Sequence, residues 1–100
     1  MIEMLNQDLY LHFEKDLILT LTPLYKEEFL DNYIDAKSCF CNLEYVEEMD
    51  SSGFQFLISL IKTCEANQID FRVNRISPFA KKMIQDFNLP QHFRMKLLGE

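Results

Sequence analysis

The strongest constraint in this chain is a helix pattern held between two strand patterns. Phe54, Leu57, Ile58, Ile61 and Cys64 recur at steps of three and four, the spacing of an amphipathic helix. Before it, residues 38–46 are rich in strand formers and apolar on both sides, as a central strand is. After it, Ile69, Phe71 and Val73 alternate with Asp70, Arg72 and Asn74, giving a strand with one polar face. Successive strands joined by a helix need a crossover, so part of the sheet is expected to be parallel.

The remaining elements are read in the same way. Leu9, Leu11 and Phe13 alternate, Leu17, Leu19 and Leu21 alternate again, and Glu14-Lys15-Asp16 lies between them. This predicts an opening hairpin, with Pro23 ending its second strand. Leu24, Phe29, Leu30, Tyr33 and Ile34 predict a short helix over residues 24–36, with Glu27 and Glu28 in its first turns. Ser77-Pro78 is a helix start, serine as N-cap and proline at the first helical position. Phe79, Ala80, Met83, Ile84 and Phe87 form that helix's apolar face, and a last helix is expected over residues 91–98. The order is strand, strand, helix, strand, helix, strand, helix, helix. It predicts an α/β fold in a single domain over residues 1–100.

Composition narrows the function. The net charge is −6, from 16 acidic and 10 basic residues, and the basic ones form no long cluster. Nucleic-acid binding lacks its electrostatic footprint, and a protein partner with a basic surface fits better. No apolar run is long enough for a membrane span, and the first twenty residues lack the apolar core of an export signal. Cys39, Cys41 and Cys64 follow no disulfide or zinc spacing, so buried reduced thiols and a cytoplasmic location are expected. No phosphate-binding loop or metal cluster is legible, and no cofactor is expected.

The segment Asp50-Ser51-Ser52-Gly53 stands between the central strand and the long helix. Ser52 with Gln55 three residues later fits a capping box, which would leave the Ser51 hydroxyl outside the helix. Gly53 would let another chain approach the backbone closely. A phosphate on Ser51 would sit at a helix N-terminus, where anions are tolerated. The plainer reading is a well-capped strand-to-helix turn. A serine nucleophile would need a base, and nothing places His12 or His92 beside Ser51. Phe56 falls at the border of the helix's apolar face. It is either core or part of an exposed partner-binding patch beside Ser51, and burial of its ring decides between the two.

These residues resemble the STAS domain of anti-sigma factor antagonists. The likeness is carried by Asp50-Ser51-Ser52-Gly53 with its flanking strand and helix, and by Ile76-Ser77-Pro78 with the segment that follows. The resemblance implies a mixed four-stranded sheet with helices packed mainly on one face. It also implies a non-enzymatic regulatory switch, with Ser51 as the residue phosphorylated by a partner kinase that doubles as an anti-sigma factor. A phosphatase would reset it. Asp50, Ser51, Ser52, Gly53, Phe54 and Phe56 are the expected partner-binding residues. The alternative is a constitutive adaptor of a chemotaxis or transport assembly, with Ser51 as plain turn chemistry.

Overall fold

The computed structural model describes residues 2–13, 16–18 and 21–99. Its elements are β1 (Ile2–Leu5), β2 (Asp8–His12), α1 (Thr22–Leu30), β3 (Ser38–Leu43), α2 (Ser51–Ala66), β4 (Asp70–Ile76), α3 (Pro78–Asp86) and α4 (Gln91–Leu98). The strands form one sheet in the order β1-β2-β3-β4. β1 and β2 are antiparallel, whereas β2–β3 and β3–β4 are parallel, so the sheet is mixed. The expected crossover is α2, which carries the chain from β3 to its neighbour β4.

Alternation along the strands sets the two faces of the sheet. Leu9, Leu11, Cys39, Cys41 and Phe71 point to the helices and are buried. Tyr10 and Phe40 point to the other face, where their rings stack at 5.2 Å and stay half-buried. The helices supply Phe29, Leu57, Leu60, Ile61, Cys64, Ala80, Ile84 and Leu97 to the same core. At roughly 25 cal/mol per Å² of apolar area, this burial is the main term holding the layers together.

The opening hairpin lies one element earlier than expected. β1 pairs with β2 through the two-residue loop Asn6-Gln7, whose φ angles are 51° and 71°. Positive φ at both positions is the twist that a two-residue hairpin needs. The described residues of the segment expected as the second strand do not form one. Leu17 makes a single parallel bridge to Met49, and Thr22 already belongs to α1. Glu14, Lys15, Leu19 and Thr20 lie outside the described residues.

Pro23 does not close a strand; it stands in the first turn of α1, where its missing N–H costs nothing. The first turn carries no acidic residue, so Glu27 and Glu28 do not have the dipole role expected of them. The helix stops at Leu30. Phe29 is buried against Tyr33, while Leu24, Leu30 and Ile34 are exposed. β3 ends at Leu43 because Asn42 turns the chain, its Oδ1 accepting the Glu44 amide at 2.9 Å. At α3 the expected start is found: Ser77 Oγ accepts from the Ala80 amide at 3.0 Å.

Candidate functional site

The turn before α2 is built from three directions. Asp16 Oδ1 accepts the amides of Glu47 and Glu48, both at 3.0 Å. Leu17 then takes the place of a short extra strand beside this loop. Its amide donates to the Glu48 carbonyl at 3.0 Å, and its carbonyl accepts from the Asp50 amide at 3.2 Å. Asp16 and Leu17 therefore position the Asp50-Ser51-Ser52-Gly53 segment, although they stand far from it in the chain.

Asp50 is the N-cap of α2. Its extended backbone, with φ −109° and ψ −174°, turns the carboxylate onto the helix end, and Oδ1 accepts the Gly53 amide at 3.1 Å. The expected capping box led by Ser52 is therefore not formed. Ser52 is the second helical residue, and the aspartate two places earlier satisfies the amide. A carboxylate is also the better cap here, since it is attracted by the positive end of the helix dipole.

Gly53 is buried under Leu17. A Cβ built on it would clash with the Leu17 carbonyl oxygen and come within 2.9 Å of both Leu17 Cβ and Met49 Cγ. The close approach expected of this glycine is thus made by the Leu17 backbone of the same chain.

Ser51 and Ser52 differ in their surroundings. Ser51, the first helical residue, is exposed, and no hydrogen bond engages its hydroxyl among the described residues. Ser52 is half-buried. It lines a 390 Å³ groove between α1 and α2, together with Thr22, Pro23, Lys26, Gln55 and Ser59, with an edge of Phe56 also in the lining. Glu47 and Glu48 are exposed on the approach to Ser51.

Phe54 and Phe56 are core residues, at 3% and 5% exposure, which overturns the exposed-patch reading of Phe56. The Phe56 ring meets Phe13 edge-on at 5.7 Å and Tyr25 at 6.1 Å. Phe54 stacks on Phe87 at 4.0 Å. Phe54 thus packs at the end of α3 and Phe56 between the end of β2 and α1, so the apolar stripe of α2 is wider than the three-and-four spacing alone indicates.

Neither histidine is hydrogen-bonded to Ser51. His12 lies by Asn42 Nδ2, at 3.4 Å from its Nδ1, and by Glu3. His92 contacts Glu65 at 2.7 Å, on α2 about 21 Å along the helix axis from Ser51. The three cysteines are free and fully buried. Contact with the Cys64 sulfur, followed by burial, pushes the Cys39 thiol up. Burial raises Cys41 in the same way. Among the described residues no three His, Cys, Asp or Glu side chains gather as a metal site, and no helix is long and apolar enough to cross a membrane.

The sequence profile of the STAS domain matches residues 2–97. Among curated proteins none matches the chain. The fold is similar to that of the anti-sigma factor antagonist SpoIIAA in its unphosphorylated form. The TM-score is 0.72 at 19% identity, over 85% of this chain and 76% of that one.

Proposed function

This chain belongs to the STAS-domain family, and on that premise we propose that it is a protein-binding regulatory switch, anti-sigma factor antagonist-like, controlled at Ser51. One observation carries the reading. Because Asp50 caps α2, the Ser51 hydroxyl is left exposed and is not needed by the fold.

The partner is a protein kinase that also acts as an anti-sigma factor, or a related regulatory protein. Ser51 Oγ attacks the γ-phosphorus of ATP held by that kinase. The new O–P bond forms as the bond to ADP breaks, and the hydroxyl proton passes to a base of the kinase. The product adds about 1.5–2 negative charges at pH 7. They arrive beside Glu47 and Glu48, at a helix end that accepts an anion without unfolding. A partner seated over Asp50, Ser51, Ser52 and Gly53 and into the groove by Lys26 is repelled. Loss of a desolvated contact costs about 2–5 kcal/mol, enough to end micromolar binding. A phosphatase hydrolyses the ester and restores the binding form. The domain itself is non-enzymatic on this reading, and its free buried thiols fit a reducing cytoplasm.

A fixed adaptor is favoured by a different observation: Asp50 and Gly53 are both accounted for by the packing of the turn itself. The two readings separate on intact mass and peptide mapping of protein from its native host, combined with partner capture by Ser51→Ala and Ser51→Asp. The switch requires condition-dependent phosphate on Ser51 and loss of the partner with Ser51→Asp only. An unmodified Ser51 in every condition, with the partner retained by both variants, sinks the switch and leaves the adaptor.

A further inference from the structure

β4 is an outer strand of the sheet, with β3 on one side and, among the described residues, no strand on the other. Asp70 donates its amide to the Lys37 carbonyl at 3.0 Å, so the parallel ladder engages that residue. By alternation, Phe71 and Val73 turn their peptide groups to the open edge. Among the described residues no hydrogen bond from outside the sheet reaches them. A 470 Å³ groove runs along this edge, with the last turn of α4 as its other wall. Met95, 51% exposed, and Leu98 make that wall apolar.

The rim is basic. Arg72, Arg75, Lys81 and Lys96 line it, four of the chain's ten basic residues, against the single acid Asp70. Arg72 is paired with Asp70 at 2.9 Å and Arg75 with Glu44 at 3.1 Å. Lys81 and Lys96 have no carboxylate partner among the described residues. In a protein of net charge −6 this is a local reversal of sign.

We propose that this groove binds an extended acidic segment of a partner protein, which adds a strand to the free edge of β4. Main-chain hydrogen bonds to Phe71 and Val73 supply register, as in other strand additions. Alternate side chains of the segment turn to the two faces of the sheet, one set toward Met95, Lys81 and Lys96 on the helix side and the other toward Arg72 and Arg75. Charges on an edge strand ordinarily guard against self-pairing. Here Arg72 and Arg75 would bring like charges together across a β4–β4 pair, which disfavours a second copy and selects a strand of opposite sign. The inference is independent of Ser51.

The test is titration of the ¹⁵N-labelled chain with an end-blocked peptide alternating Glu and Val, matched to the seven residues of β4. Saturable binding is expected below about 1 mM. The Phe71 and Val73 amides should shift and exchange about tenfold more slowly. Lys81→Glu with Lys96→Glu, the first exposed and the second half-buried, should weaken binding by about tenfold or more with the fold retained by circular dichroism. A peptide in which Lys replaces Glu, and a peptide methylated on alternate amide nitrogens, should not bind. Absence of saturable binding overturns the proposal. So does equal binding of the methylated peptide, which would mean charge attraction without a strand. Tighter binding of a single-stranded thymidine oligomer at the same amides would assign the groove to nucleic acid instead.

Discussion

The carbonyl oxygen of Leu17 lies too close to Gly53 for a side chain there to fit. Leu17 is fixed there by two backbone hydrogen bonds, to Glu48 and from Asp50, so it does not retreat easily. Gly53→Ala is therefore expected to destabilise the protein by about 1–3 kcal/mol, the usual cost of overpacking. Alanine's better helix propensity, worth up to about 1 kcal/mol, only partly offsets this. Thermal unfolding should shift down by about 4–8 °C per kcal/mol. A variant with an unchanged or higher melting temperature would show that the turn opens freely.

Capping makes a second prediction, because it separates two neighbouring polar residues. Asp50→Ala removes the acceptor for the Gly53 amide and is expected to cost about 0.5–2 kcal/mol. Asp50→Asn keeps an acceptor and should recover most of that. Ser52→Ala, by contrast, should stay within about 0.5 kcal/mol of the parent, since its hydroxyl caps nothing. Urea midpoints of the three variants decide it. A larger loss for Ser52→Ala than for Asp50→Ala would restore the capping box.

Much of this arrangement is written locally and was legible for that reason. The apolar stripe of α2, the alternation of β4 and the Ser77-Pro78 start each depend on residues a few places apart. The hairpin was misplaced because Asn6-Gln7 lacks the glycine that usually marks a two-residue turn, and because β1 is mostly exposed and lacks a strong alternation. The Asp50 cap was missed because a serine three residues before a glutamine is an equally good local signal; only the chain's path decides which residue faces the helix end. Asp16 and Leu17 had no local signal at all. Their roles arise from bonds spanning more than thirty residues, which no short pattern encodes.

Phe56 gives a third prediction. Its ring is packed edge-on against Phe13, and only a rim of it reaches the groove by Ser52. Phe56→Leu should lower stability by about 1–3 kcal/mol through lost core contacts. Gln55→Ala, one residue away and exposed, should change stability by less than about 0.5 kcal/mol. If chemical denaturation finds the two variants equally stable, Phe56 is not the core residue described above.

The buried thiols predict how stability changes in alkali. Cys41 is raised above its ordinary value by burial and then by Cys64. Cys39 is raised by contact with Cys64 and then by burial. Cys64 moves the other way, because the Cys39 thiol donates to its sulfur, and offsets part of the effect. An acid whose pKa is higher in the folded chain keeps its proton there after the unfolded chain has lost it. Its stabilisation is complete below the unfolded value, about 8.5, and is lost as pH rises toward the folded value. The urea midpoint under reducing conditions should therefore hold steady from about pH 7 to 8 and fall by about pH 9.5, before tyrosine and lysine titrate strongly. Cys41→Ala should start from a lower midpoint, because it leaves a small cavity, yet decline less steeply over the same interval. A parent midpoint that stays flat to pH 9.5, or a variant that falls as steeply as the parent, would mean that these thiols ionise as readily in the folded chain as in the unfolded one.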